Sequence, residues 1–482
     1  MKDNQRTKKR AAVLFLLGSL FLSGPRPGVA QVSGPMSGGL GISQSPFQGS
    51  APAGQATGTT LPLTLKEAFD RALKYNLGLI ESDQGTRAAR AERLRSLSAL
   101  LPNLTLGVSA TREQLDLKAL GFNFTIPGLP IPVVVGPFTV ADARAFLSQE
   151  IFDWSDIKNW KSARENEKAS QASYTGARDL VVTATAHAYL LVISDAATVD
   201  SDRAQVKTDQ TLYENDVDES KAGVIPKIDL LRAQVQLQSE QQSLIAAENQ
   251  LAIDKLTLAR IIGLPTGQEF ALTDSVPYAP LAGINLDQAL KQAYASRPDY
   301  RGAQAQVRAA ELARQAAAAE NYPSLTNNTN FGDIGSPNFA SSHETFTFAL
   351  TLNVPVFQGT RVRADKLQAD SALRQRRAEL ADLEGKIDDQ VRTAFFNLKS
   401  SSDLVAVAQS NIELANEALT EAQDRFRAGV VNNLEVVQAQ QSVAAANQSY
   451  IASLYSFDLA KVSLAEAMGI AEQSALQYLG MK

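Results

Sequence analysis

The sequence predicts a mainly α-helical chain with a membrane β-barrel portion, built as a tandem duplication of helix–strand–strand–helix–helix. Three observations predict it. Apolar residues recur every seventh position through long stretches. Shorter segments alternate strictly between apolar and polar. The whole order of signals appears twice, at a nearly constant offset.

The heptads are clearest from Asp382 to Leu464. Val391, Leu398, Val405, Ile412, Leu419 and Phe426 fall every seventh residue; beyond Ala428-Gly429-Val430, so do Val436, Val443, Tyr450, Phe457 and Leu464. A seven-residue repeat held this long keeps one seam of a helix against a partner. The glycine turn between the runs implies a reversal, hence a helical hairpin. The same hairpin occurs earlier: Leu230, Leu237, Leu244, Leu251 and Leu258 carry its return helix after Ala222-Gly223-Val224. Gly223 and Gly429, Asp229 and Glu435, and Gly263 and Gly469 all differ by 206 residues, while Leu65 and Leu286, Arg87 and Arg308, and Pro102 and Pro323 differ by 221. The seam keeps phase as well, since Val192, Val199, Val206 and Tyr213 map onto Leu398, Val405, Ile412 and Leu419.

Composition narrows the class. The 482 residues carry a net charge of −5 with 20% charged residues, which gives no electrostatic footprint for nucleic acid. Cysteine is absent and only His187 and His343 represent histidine, so disulfides, thiol chemistry and a His-rich metal cluster are not expected. Lys2, Arg6, Lys8, Lys9 and Arg10 precede the apolar run Ala11 to Leu22, and Gly28-Val29-Ala30 supplies small residues for cleavage. That pattern predicts a secretory signal peptide over residues 1–30. No later stretch holds the roughly 20 continuous apolar residues of a membrane helix, so entry into a membrane would be by strands.

In chain order, residues 31–60 are rich in Gly, Ser, Pro and Gln and predict a flexible tail. The first repeat spans 61–265. Thr64 with Glu67 forms a capping-box pattern that opens a helix over 63–101, closed by Pro102. Period-two alternation predicts strands over 103–111 and 139–152, separated by a proline-rich loop, and a helix hairpin follows over 155–262. Residues 266–283 read as an irregular linker. The second repeat, 284–470, predicts a helix over 285–321, strands over 324–331 and 344–357, and a helix hairpin over 360–468, followed by a tail over 471–482.

The second strand pair carries the strongest lipid pattern: Phe346, Phe348, Leu350, Leu352, Val354 and Val356 alternate with Thr345, Thr347, Ala349, Thr351 and Asn353. About 11 residues of such alternation match an outer-membrane strand. Four strands per chain cannot close a barrel, and a bilayer tolerates no open sheet edge. Closure therefore requires several copies. The long helix, at about 65 residues, would reach roughly 100 Å, and the two shorter helices of each repeat stacked end to end match that length. The result is a tall tube wall.

With these features the chain resembles the TolC-type outer-membrane efflux proteins over essentially all of its mature length. The resemblance rests on the duplication, the paired Ala-Gly-Val turns, the run from Gly223 through Asp229 to Ala233 with its copy from Gly429 through Glu435 to Ala439, and Asn353 to Gly359 before the second long helix. It implies a homotrimer with a 12-stranded β-barrel over a long α-helical barrel. It also implies a passive, non-enzymatic exit duct in the outer membrane, extending into the periplasm and serving tripartite efflux or type I secretion. Its partners would be a periplasmic adaptor (membrane fusion) protein, an inner-membrane pump and outer-membrane lipid, with no cofactor. The alternative reading is a periplasmic coiled-coil adaptor or scaffold.

The resemblance also assigns site residues. Gly223, Val224, Gly429 and Val430 would form the adaptor-docking tip. Asp229 and Glu435 would line a periplasmic gate, three copies of each giving carboxylate rings that favour cations. As first-turn residues the same acids complement a helix dipole. Gln438 and Val431 stand where the family pattern often has a further acid and a basic partner. Trp154 and Trp160 suit an aromatic girdle or the junction between barrel and helices.

Overall fold

The computed structural model describes residues 46–121, 132–274, 278–281, 283–337, 341–428, 430–431 and 433–481. The expected signal segment, residues 31–45 of the expected tail, and Gly429 lie outside the described residues.

The capping box opens the first helix as its sequence predicts. The Thr64 hydroxyl accepts from the Glu67 N–H at 3.2 Å and the Glu67 carboxylate accepts from the Thr64 N–H at 3.0 Å, and these bonds lower the Glu67 pKa. The helix does not run unbroken over 63–101, however. It divides into α1 (Leu65–Tyr75) and α2 (Leu77–Ser98) at Asn76, which ends one helix and caps the next. The Asn76 side chain accepts from the Gly78 N–H at 3.0 Å and donates to the Phe47 carbonyl at 2.7 Å.

The second repeat breaks at the equivalent position, 221 residues later. There α5 (Leu286–Ser296) gives way to α6 (Pro298–Ala319) at Arg297, instead of one helix over 285–321. The causes differ. Pro298 forces the residue before it out of helical geometry, and Arg297 accordingly has ψ 121°. In the first repeat a side-chain cap does the same work.

Long helices follow each strand pair. α3 (Trp154–Lys221) turns back as α4 (Lys227–Ile261), and α7 (Arg361–Arg427) turns back as α8 (Asn433–Ala467). The predicted seams reach the cores at their ends nearest the sheet, with Val391, Val405, Phe457 and Leu464 buried in one core and Val192 and Leu258 in another, and are partly buried toward the turns. Contacts along α3 run in order. α2 meets it through Thr86 and Ser170, Leu63 before α1 meets Tyr189, and α4 meets it through Glu248 and Arg203. The short helices thus follow one another along the long one, as their summed lengths require. Around α7 the pattern recurs, with Glu311 of α6 on Arg377, Tyr300 on Glu384, and Glu435 of α8 on Arg425.

Three expectations are corrected. Residues 46–60 are not a loose tail: Ser50 bridges to Asn76, and the Thr57 N–H donates to Gln268 at 2.7 Å. Nor are residues 266–283 wholly irregular, because β1 (Leu61–Leu63) pairs in parallel with β4 (Phe270–Leu272). Sequence-distant stretches supply the order that local composition lacks. Finally, the segment 471–482 contains α9 (Ala471–Tyr478), which lies on α3. Glu472 pairs in a two-pronged manner with Arg178, its N–H donates to Asp179 at 2.9 Å, and Leu479 is fully buried.

The strands β2 (Asn103–Asp116), β3 (Val134–Phe152), β5 (Ser324–Gly335) and β6 (His343–Asn353) form one antiparallel sheet in the order β2-β3-β5-β6. β2, β3 and β5 are longer than expected. β6 is shorter than the predicted 344–357, ending two residues before Pro355, which has no N–H to give a ladder. Register sorts the side chains. Leu104, Leu106 and Val108 align with Leu147, Ala145 and Ala143, then with Thr329, Phe331 and Asp333, then with Phe348, Phe346 and Glu344. On the other face lie Asp142, Arg144, Ser148, Asn328, Asn330 and Thr347.

Candidate functional site at the hairpin tips and the sheet

The first tip is set by its backbone. Three successive residues close the end of α3: the Ala222 N–H donates to the Asp218 carbonyl at 3.0 Å, Gly223 to Ser220 at 3.1 Å, and Val224 to Glu219 at 2.9 Å. This helix stop needs a left-handed residue, and Gly223 has φ +71°. Pro226 then starts α4, and Val224 is left 70% exposed. At the second tip the Ala428 N–H donates to Asp424 and the Val430 N–H to Arg425, both at 3.0 Å, and Val430 is 69% exposed. The duplication therefore delivers two tips of the same hydrogen-bond pattern, each presenting a valine.

The two acids at matching positions are wired differently. Asp229 is 8% exposed and pairs with Arg232 at 2.9 Å, one turn along its own helix. Glu435 pairs at 3.1 Å with Arg425, across the turn on α7, and both side chains stay nearly half exposed. The 206-residue offset explains this: Arg425 occupies the place of Glu219, and Gln438 the place of Arg232. The basic partner of Glu435 thus comes from the outgoing helix, not from position 431.

Sequence reasoning missed what lies between the return helices. Ile228, Leu231 and Val235 of α4 and Leu434 and Val437 of α8 line an open cleft of about 330 Å³ together with Arg232, Gln236 and Gln441. The Gln441 amide donates to Gln236 at 2.8 Å and ties the two hairpins together there. Its signal was the pair of apolar stretches just past each turn, which heptad counting assigned to the wall.

The sheet presents two chemistries. On the apolar face, Leu106 is 77% and Phe346 79% exposed, with Leu104, Val108, Phe348 and Leu352 beside them. The opposite face carries hydrogen-bonding groups: Arg144 binds Asp142 and reaches Asn330 at 3.2 Å, Ser148 donates to Asn328 at 3.0 Å, and Thr326 to Glu150 at 2.8 Å. One face suits hydrocarbon and the other water, as in a strand wall between lipid and a wet lumen. At the foot of the sheet Trp154 stacks near Phe152, with Lys158 over its ring at 4.9 Å.

A duplicated helical hairpin beneath a two-faced sheet defines an outer-membrane channel wall, and comparison with known proteins agrees. The outer membrane efflux protein family model matches residues 68–264 and 289–470. The chain belongs to that family, whose members are TolC-like channels of the outer membrane. It is 25% identical to the toluene efflux pump outer membrane protein TtgF of Pseudomonas putida, over 84% of this chain and 83% of that one. It is 22% identical to the outer membrane protein TolC of Vibrio cholerae, over 89% and 95%. Among solved structures, the Campylobacter jejuni CmeC outer membrane channel superposes with a TM-score of 0.73 at 16% identity, covering 90% of this chain and 94% of that one. The protein is thus an outer-membrane efflux channel, and the reading as a periplasmic adaptor is set aside.

Proposed function

We propose that three copies of this chain form the exit duct of a tripartite efflux assembly, closed as a 12-stranded barrel over a helical tube and met at its tips by a periplasmic adaptor that links it to an inner-membrane pump. The observation that carries the reading is the open four-stranded sheet. It pairs an apolar face that is mostly exposed with two edges, β2 and β6, that find no partner among the described residues. Such edges are intolerable in hydrocarbon unless another copy pairs with them. Helix faces support the same closure: Val235, Ile245 and Leu256 of α4 and Phe396, Val407 and Leu414 of α7 are exposed and apolar.

The chain has no cysteine, so engineered pairs give a clean test. Thr105→Cys on β2 combined in turn with Thr345→Cys, Thr347→Cys or Ala349→Cys on β6 should yield oxidised dimers and trimers in the outer-membrane fraction for one register. Monomer alone in every combination would sink the reading.

At the tips, the docking roles of Gly223, Val224 and Val430 rest on exposure and on hydrogen bonds repeated at both turns, and Gly429 joins them by its place in the duplication. Val224→Asp with Val430→Asp should abolish adaptor cross-linking and export while trimers still assemble; unchanged cross-linking would reject docking. Asp229 and Glu435 as gate acids draw support from their pairing with arginines, which would hold the rim in one arrangement.

A further inference from the structure

The first hairpin carries a second heptad register that its copy lacks. In α3, Asp195, Asp202, Asp209 and Asp216 recur every seventh residue, each three positions after a seam residue. The matching residues of α7 are Ser401, Ala408, Ala415 and Ala422. Both positions of such a seam are ordinarily apolar. Here Asp202 is 6% and Asp209 2% exposed, so the acids lie inside the packing.

Around Asp195, Asp202 and Asp209 the described neighbours are acids, amides and a tyrosine. From α4, Asp254 faces Asp195, and Glu240 faces Asp202 and Asp209. From α8, Gln448 meets Asp202, and Tyr455, whose hydroxyl lies 3.0 Å from His187 Nε2, stands near Asp195 and Asp254. The recorded donors are glutamine amides: Gln205 to Asp209 at 3.0 Å, Gln236 to Glu240 at 2.8 Å and Gln250 to Asp254 at 2.7 Å. Among the described residues no lysine or arginine pairs with these five acids, and nearby Arg203 is taken by Asp200 and Glu248. One carboxylate oxygen each of Asp195 and Asp209 is buried without a hydrogen-bond partner. Two charges on a carboxylate pair in this setting repel each other; one proton on the pair removes the repulsion and supplies a donor.

We propose that the Asp195–Asp254 and Asp209–Glu240 pairs are a proton-operated clasp, holding α3 to α4 and the neighbouring α8 while each pair keeps a proton and loosening that seam when the proton leaves. Titration runs in the required range. Burial, then Asp254, pushes Asp195 up to about 7, and burial, then Glu240, pushes Asp209 up to about 6, while Asp202 and Glu240 move the same way. These values lie above the ordinary 3.8 of an exposed aspartate. The packed seam therefore binds more protons than separated helices do. Its contribution is complete in acid and is lost as pH rises through about 6 to about 7. The clasp needs only the fold and stands apart from the exit-duct reading.

Hydrogen exchange on the assembled full-length protein in detergent, corrected for intrinsic rates, tests it between pH 5 and 8. Amides over 195–254 should open more readily as pH rises, by up to about tenfold per pH unit for each proton released. Amides over 401–427, in the matching stretch of α7, should not. The Asp195→Ser, Asp202→Ala, Asp209→Ala variant, which copies the second hairpin, should lose the slope. If it does not fold, Asp209→Asn, shaped like the protonated acid, should exchange more slowly than wild type at pH 8. An unchanged slope in whichever variant is measured would overturn the proposal. So would a slope that vanishes on adding EDTA, which would assign the ladder to a bound cation.

Discussion

Gly469 and Gly223 share a backbone sign but not a neighbourhood. Gly469 has φ +68°, and a Cβ there would lie 2.7 Å from the Arg297 Cα, at the break between α5 and α6. Gly223 has φ +71° with open space around it. Gly223→Ala should therefore cost only the left-handed strain, about 1–2 kcal/mol. Gly469→Ala should cost more, because backbone must also move; equal Tm losses would reject the difference. The gate acids make a second contrast. Arg425→Gln should free the half-exposed Glu435 and raise cation preference in planar bilayers. Arg232→Gln should change it less, since Asp229 is 8% exposed. An equal response from both would show that the wiring does not matter.

At the scale of elements, what was legible was whatever repeats locally. Heptads placed the four long helices, Thr64 and Glu67 placed a helix start, and alternation placed the strands. The breaks at Asn76 and Arg297 had local signals too, a cap residue and the following proline, but continuous helical periodicity on both sides masked them. The pairing of β1 with β4 had none, because its partners are three residues long and 209 apart at Leu61 and Phe270. α9 was invisible for a related reason: its anchors, Arg178 and Asp179, sit in the middle of α3. The tip acids were legible as a pair, whereas their unequal partners emerge only when the two hairpins are superimposed. The anchoring of α9 yields a prediction. Leu479→Ala removes a fully buried side chain from the core under α3 and should lower stability by about 2–5 kcal/mol. Glu472→Gln, losing the partly exposed Arg178 pair, should cost less. A larger loss in Glu472→Gln would mean that the ion pair, not the apolar contact, holds the segment.

At the scale of the whole molecule, the described residues leave two strand edges and two apolar helix faces open, the surfaces that the proposed duct would cover with other copies. Heat-resistant oligomers should survive high salt, because apolar faces and backbone ladders are little screened. Dissociation at high salt would point instead to charge-mediated assembly. The unpaired edges of β2 and β6 also govern how the channel comes into being. A lone sheet has no resting place in a bilayer, so arrival, closure and insertion collapse into one kinetic event that no single copy can begin. If the duct is the proposed trimer, cells making equal amounts of sound chain and a chain with a spoiled β6 edge would retain only about one-eighth of their ducts fully intact. Defects at that edge should thus be dominant over the normal copy, even though each chain carries its own complete set of residues.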